Sequence, residues 1–529
     1  MAAPRSLDRR EFLKTGLHLG VATTGILGTG AVLASCDTST SHNSLAHDIH
    51  LKPPTARDWR RLAESLKGTL VLPSNPSYAS DRLLYNSKFT NPRPSALAFC
   101  NDAQDVARCV EFVAHHGIEV AARSGGHSYA GYSSCRGLVI DVTRMNSITV
   151  NLKSNVATIG AGALLIDIYD AVGNAGRLLP GGSCPTVGIA GLALGGGIGV
   201  FGRKFGLTCD NLQSADVISA AGDLLHADAN THPDLFWASR GGGGGNFGVA
   251  TTFEFTVHPM PQVTLFTLEY PWAAAATVLD AWQRWVDNAP DELWSNCLLL
   301  SQGNAGYLAQ VGGVFCGSPT GVMSLLRALR IDIATPATAS FVGSNDYLDA
   351  MKIEAGCSSL SVAACHLPSE NPLGQLSREA YSAKSSYLEG VTSASRTHLL
   401  VDAVETLRDY APTLGGGLAF DSYGGAINRV ASDQTAFVHR DKRAGIQATY
   451  SWSSDTSPTA IASGQQWLKW LGTNVFDSAA GAYQNYIDPT LADWESAYYG
   501  ANFERLVRIK KTYDPENRFR FAQSIPVER

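Results

Sequence analysis

A run of glycines limits this chain more than any other feature. Positions 181–202 read Gly181-Gly182-Ser183-Cys184-Pro185-Thr186-Val187-Gly188, followed by Gly191, Gly195, Gly196, Gly197, Gly199 and Gly202. Upstream, Arg123-Ser124-Gly125-Gly126-His127-Ser128 opens the same region. Glycine at this density lets the backbone approach a ligand closely and turns its N–H groups towards an anion, so a phosphate-bearing cofactor is the expected occupant. One His and one Cys stand among the glycines. Neither has the neighbouring His, Cys or acidic residues of a metal centre, and no metal is expected. Gly197-Ile198-Gly199-Val200-Phe201-Gly202 spells G-x-G-x-x-G, with Asp223 about 20 residues further on. A dinucleotide fingerprint follows a strand, however, and here loop glycines precede it, so the match is read as loop.

The 529 residues are 45% hydrophobic, enough for two or three domains with their own cores. A formal net charge of −6 without a basic block argues against a nucleic-acid partner. Val106, Val110 and Val113 share one face of a helix expected over Ala103–His116, and a strand over 118–122 then leads into the His127 loop. Strand patterns recur at 138–142, 147–150, 156–159, 215–220 and 249–257, with a helix over 164–173 that stops near Gly176. From about Pro261 the glycine loops give way to alternating strands and helices, beginning with 264–270 and 272–288. The five glycines Gly241–Gly245 lie between Phe236-Trp237 and Asn246-Phe247-Gly248. Pinned at both ends, they read as a close-approach loop rather than a linker.

Several segments together carry a family resemblance. They are Arg123–Tyr129, Gly181–Gly188, Gly206-Leu207-Thr208-Cys209-Asp210-Asn211, Asp234–Gly248, Asn485-Tyr486-Ile487-Asp488 and Gln523-Ser524-Ile525. Over most of its length the chain resembles the berberine bridge enzyme-like branch of the vanillyl-alcohol oxidase flavoproteins. The resemblance implies an α+β fold with a two-lobed vanillyl-alcohol oxidase-type FAD-binding domain over 56–262. It also implies an α/β substrate domain over 263–477, its antiparallel sheet over the flavin, and a return to the first domain over 478–529. The cofactor would be FAD held by two covalent bonds, from His127 to the flavin 8α-methyl carbon and from Cys184 to flavin C6. Further cofactor contacts are expected from Arg123, Ser124, Gly125, Gly126, Ser128, Gly131, Thr186, Val187, Gly188, Gly191, Gly195, Asp210 and Val249.

The same resemblance implies the chemistry. Tyr486 matches the tyrosine that acts as base in the carbohydrate and anthracycline-glycoside oxidases, with Tyr483 as a flavin contact or stand-in. Gln447 stands in the neighbourhood where alkaloid-cyclising relatives carry a glutamate base. Being uncharged, it points to oxidation of an alcohol or hemiacetal, and it is expected to contact the substrate. A phenolate near neutral pH needs a cation or strong donors, and Lys384 and Arg440 are the cations to examine. Asp488 is expected to cap the turn at Pro489. In relatives a small side chain three residues beyond the flavin-linked Cys admits oxygen. Val187 is in that place, so molecular oxygen is expected as acceptor, ahead of a dehydrogenase using another acceptor. A flavin-binding lipoprotein without turnover is disfavoured by the presence of His127, Cys184 and Tyr486 together.

Residues 1–36 read as a targeting segment. Asp8-Arg9-Arg10-Glu11-Phe12-Leu13-Lys14 resembles a twin-arginine export signal, and Leu33-Ala34-Ser35-Cys36 resembles a lipobox that would anchor a lipidated Cys36 to a membrane. Cleavage by an ordinary signal peptidase, releasing a soluble protein, is the alternative. Residues 37–55 read as a polar tether. Of the ten cysteines, eight lie outside Cys36 and Cys184, and their spacing fixes no pairing.

Overall fold

The computed structural model describes residues 52–528. The segment read as an export signal, Cys36 and most of the stretch read as a tether lie outside the described residues.

Three sheets carry the chain. The first takes the order β1-β2-β4-β3, from β1 (Thr69–Val71), β2 (Ala96–Phe99), β3 (Val120–Arg123) and β4 (Leu138–Asp141). Strand β4 runs parallel to both β2 and β3, which requires a crossover between β2 and β3. Helix α1 (Ala103–His116) supplies it. Asp102 accepts from the Asp105 N–H at the helix start, and Gly117, at φ 63°, ends it. Val106, Val110 and Val113 are buried against the sheet.

The second sheet is antiparallel, in the order β5-β6-β10-β8-β9. Its strands are β5 (Ile148–Asn151), β6 (Val156–Gly160), β8 (Leu212–Ile218), β9 (Leu224–Asp228) and β10 (Val249–Thr256). A short ribbon of β7 (Arg177–Leu178) and β11 (His258–Pro259) lies beside it. Helix α2 (Leu165–Asn174) follows β6 and ends where the sequence predicts, with Gly176 at φ 66°.

The third sheet has seven strands, all antiparallel, in the order β15-β12-β14-β13-β17-β18-β16. They are β12 (Val263–Tyr270), β13 (Leu293–Gln302), β14 (Tyr307–Cys316), β15 (Ala339–Asn345), β16 (Ala380–Leu388), β17 (Gly415–Ser422) and β18 (Ala444–Trp452). Side chains alternate across it. Cys297, Leu418, Phe420, Ile446 and Ala448 are buried in a core shared with α3 (Ala275–Asp287), α4 (Ala394–Tyr410) and α5 (Pro458–Asn474). Trp294, Asp421 and Gln447 face the opposite way, towards a cavity.

The hydrophobic cores follow this division. One gathers residues mainly from 62 to 265 and again from 482 to 525, joined by Trp294, Val314, Cys316, Tyr347, Ala350, Met351 and Ala436; the other runs from 266 to 475. The last stretch closes on the first core through α6 (Phe503–Tyr513). The Lys510 ammonium in α6, fully buried, donates to Asn246 O, Phe519 O and the Asp514 carboxylate, each at 2.6 Å. Cys357 and Cys365 form a disulfide, a pairing that spacing alone left open.

Candidate active site

Strand β3 ends at Arg123 and delivers residues 124–132 to the wall of a cavity of about 1240 Å³. Arg123 itself points away from it. Its guanidinium is buried, donating to Ser133 O at 3.1 Å and Asp81 O at 2.7 Å beside the Asp141 carboxylate, so it positions the loop rather than lining the site. Gly125 explains its own identity: a Cβ there would fall 2.3 Å from Gly188 N and 2.6 Å from Thr186 O. The His127 loop and the Cys184 loop therefore meet backbone to backbone, which only glycine permits.

His127 Nε2 lies 2.8 Å from Thr186 Oγ1, and its ring stacks on Tyr85 with centroids 3.9 Å apart. Burial pushes the imidazole pKa down to about 3, so the ring is neutral at any working pH. Cys184 is exposed on the cavity wall, on a loop held by the first turn of α2. There Ile166 N–H donates to Pro185 O and Leu165 N–H to Val187 O, both at 3.0 Å.

The glycines from 191 to 199 grip the C-terminal segment. A Cβ on Gly195 would lie 1.9 Å from Asn485 Oδ1 and 2.3 Å from Gln484 Oε1. Asn485 Nδ2 donates to Leu192 O at 2.9 Å. The Tyr483 hydroxyl accepts from Gly197 N–H at 3.0 Å and Ile198 N–H at 3.2 Å. These donors favour its phenolate, but burial outweighs them and pushes the pKa up to about 12. Gly241 and Gly243 both donate to Leu194 O, bringing Gly244 and Gly245 to the cavity as a close-approach loop. The G-x-G-x-x-G segment follows a short helix (Ile189–Leu194) and is loop, as read.

Tyr486 stands where the two halves of the molecule meet. It stacks on Tyr129 (centroids 5.1 Å apart) and meets Tyr483 edge-on at 4.8 Å. Burial raises its pKa well above the ordinary value, and Tyr129, the Asp421 carboxylate, Tyr483 and Cys184 push the same way. Neither proposed cation serves it. Lys384 bonds Asp488 and Thr490, and Arg440 forms a two-point ion pair with Asp210 at 2.7 and 2.8 Å. From the sheet, Gln447 Nε2 donates to Tyr129 OH at 2.8 Å. Asp488 accepts from Thr490 N–H at 2.9 Å, the capping role expected of it.

Ser124, Gly125, Gly126, His127, Ser128, Cys184, Thr186, Val187, Gly188, Gly191, Val249, Gln447, Tyr483 and Tyr486 all line this one cavity. Arg123, Gly131, Gly195 and Asp210 stand behind it. Gly131 lies against the Phe89 ring, and Asp210 accepts from Leu207 N–H besides pairing with Arg440. The sequence reading missed Tyr85, Trp294, Glu354, Glu379 and Phe521 on the wall, and gave no role to Asp421 or Tyr129. Tyr129 adjoins the His127 motif, and Asp421 sits on the cavity-facing phase of a strand. Those were the available signals.

The cavity exceeds the roughly 300–1,000 Å³ of a usual small-ligand pocket and is walled by glycine backbone. The buried Gln484 Oε1 on its wall has no donor among the described residues. A dinucleotide with a polar ring system fits those features, with His127 and Cys184 as nucleophiles on the same wall. Fold and site thus define a two-domain flavin-dependent oxidoreductase.

Comparison with known proteins agrees. Residues 94–228 match the FAD binding domain family, and residues 482–526 match the berberine and berberine-like family. An uncharacterised FAD-linked oxidoreductase of Bacillus subtilis, YgaK, is 34% identical over 87% of this chain and 97% of its own. The xylooligosaccharide oxidase of Thermothelomyces thermophilus is 30% identical over 84% of this chain and 88% of its own. The structure of Physcomitrella patens BBE-like 1 superposes with a TM-score of 0.79 at 30% identity, covering 89% of this chain and 99% of that one. The chain belongs to the berberine bridge enzyme-like FAD-linked oxidoreductases.

Proposed function

We propose that the protein is an exported oxidase with FAD bonded to both His127 and Cys184. Its substrate is a secondary alcohol or hemiacetal on a saccharide or glycosylated compound, and it returns electrons to oxygen as hydrogen peroxide. The observation that carries the reading is the convergence of His127, Cys184 and Tyr486 on one cavity beneath a polar sheet face. Two relatives are named as oligosaccharide oxidases, for xylo- and gluco-oligosaccharides.

Bound FAD supplies the two-electron acceptor for a hydride leaving the substrate carbon. The chain's residues do the rest. His127, neutral through burial, presents a nitrogen lone pair for covalent attachment, and Cys184 presents a thiol across the same space. With its pKa raised, and with Lys384 and Arg440 paired to carboxylates elsewhere, Tyr486 rests as the phenol. A phenol accepts a proton only as it gives one up. Tyr486 would therefore take the substrate hydroxyl proton while giving up its own to a second acceptor, and Asp421, on the same cavity wall, is the carboxylate to test for that part. Gln447 fixes Tyr129, whose ring supports Tyr486 from one face.

The test is anaerobic mixing of the yellow protein with neutral oligosaccharides, followed by admission of oxygen. Bleaching, then rapid return of colour with one peroxide per flavin, supports the reading. Bleaching with slow recovery in oxygen but fast recovery with a quinone reassigns it as a dehydrogenase. For export, the mature N-terminus is to be read by mass spectrometry, which separates a lipidated Cys36 from ordinary cleavage.

A further inference from the structure

Residues 355–379 form a strap between the helix Tyr347–Glu354 and strand β16. Its two ends reach the cavity wall, at Ala355 and Glu379. Between them it packs on the supports of the loops that carry His127 and Cys184. Cys357, Cys365, Leu367 and Leu376 share a small core with Ile166, and Tyr85 packs against it. Tyr85 is the ring stacked on His127. Ile166 belongs to the first turn of α2, whose N–H groups hold the Cys184 loop.

A charged contact joins the strap to that turn. His366, 4% exposed, places Nε2 3.1 Å from Oδ2 of Asp167, the residue after Ile166. Its Nδ1 lies 3.0 Å from Val362 O. Carbonyl and carboxylate oxygens only accept, and a neutral imidazole has one N–H to give, so the geometry is that of the imidazolium. The Cys357–Cys365 disulfide closes the turn that ends beside His366, and Leu376 N–H donates to His366 O at 2.9 Å. The ring is thereby fixed to the strap on both sides.

The charged groups acting on His366 are Asp167 from α2 and Glu370 from the strap itself. Burial lowers the imidazole pKa, but the two carboxylates outweigh it and hold it above 6.5. Burial also pushes Glu370, which accepts from Leu367 N–H at 2.9 Å, up to about 7. Both shifts act in one direction. The stability due to His366 is intact below pH 6.5 and is lost as pH rises through its folded pKa. Glu370 ionises above 4.5 in the unfolded chain, so stability also falls from there to about pH 7.

We propose that His366 and Asp167 are positioning residues for the flavin site, a proton-dependent latch. The latch holds the strap, and through the first turn of α2 the Cys184 loop, in place on the cavity wall. Loss of the His366 proton leaves Asp167 without its cation and frees the strap. This role rests on the flavin-site reading for the place of Cys184, and not on whether the flavin is covalently bound.

The yellow holoprotein is titrated from about pH 5 to about pH 9, a span that covers histidine titration, while the visible circular dichroism of its flavin is followed. That signal exists with or without covalent bonds, so loss of the two-tether reading leaves the test standing. One transition is expected, with its midpoint above pH 6.5. Glu370→Gln should move the midpoint down, because that carboxylate supports the imidazolium. Asp167→Asn should move it further, to below 6.5, and His366→Gln should abolish it. Hydrogen exchange of residues 356–378 in the parent, corrected for the intrinsic rate, should quicken across the same transition. The slope is up to about tenfold per pH unit, that of one proton. A flat parent spectrum, or a midpoint unmoved in all three variants, overturns the latch. The parent titration and Asp167→Asn decide the matter even if His366→Gln folds badly.

Discussion

At the scale of single residues, the site depends on groups whose neighbours hold them in one protonation state. Tyr486 is a phenol kept protonated by burial, so the proposed role as a base requires a group that takes its proton. Tyr486→Phe keeps the fold and the cofactor but should slow anaerobic flavin reduction by roughly 10²–10⁴-fold, the range for a positioned proton acceptor. Reduction within about threefold of the parent would remove Tyr486 from that role. Val187 lines the cavity three residues beyond Cys184. Val187→Leu should slow reoxidation by oxygen more than reduction by substrate, and stopped-flow traces of the two half-reactions read both. His127, Cys184 and Tyr486 were legible in the sequence because they sit in worded glycine or asparagine motifs. Asp421 and Trp294 were not, because a strand in sequence does not show which face looks at a ligand. Lys384 and Arg440, the cations to examine for Tyr486, instead pair with the Asp488 and Asp210 carboxylates, a choice of partner that sequence does not show.

Elements explain why the motifs need so many glycines. The Gly195 position is filled by the Asn485 and Gln484 amides, so the glycine run and the C-terminal segment are two halves of one clamp. Gly195→Ala should cost about 1–3 kcal/mol, the usual range for overpacking. It should also lower the fraction of protein carrying flavin, measured as the ratio of yellow to protein absorbance. Helix α6 closes the same clamp through the buried Lys510. Lys510→Met leaves the Asp514 carboxylate buried without its cation and should cost about 3–5 kcal/mol, read by denaturant titration. The strands and helices here were mostly visible as alternation or 3.6-residue periodicity, as in α1 and β10. The pairing of strands that lie far apart in sequence, such as β13 with β17, leaves no local signature, and neither does the Cys357–Cys365 bond.

In the molecule as a whole, a glycine-walled cofactor domain meets a seven-stranded sheet, and the final segment returns to bring Tyr483 and Tyr486 to their cavity. Such a protein carries buried histidines that oppose acid. His439, packed between Tyr387 and the Gly481 backbone, has its pKa pushed by burial from 6.5 down to about 4. The folded state refuses a proton that the unfolded chain accepts. This contribution to stability is therefore intact above pH 6.5 and is lost as pH falls towards about 4, at about 1.4 kcal/mol per pH unit. His439→Gln should flatten the acid side of a stability–pH profile by that slope, and an unchanged profile would place the acid sensitivity elsewhere. The central claim, however, is that two side chains from separate glycine loops hold one flavin. The most direct measurement is proteolysis of acid-precipitated protein followed by mass spectrometry of the yellow peptides. The account predicts a single flavin bridging the peptide that contains His127 and the peptide that contains Cys184. Yellow cofactor left in the acid supernatant, with both peptides recovered at their unmodified masses, would contradict it.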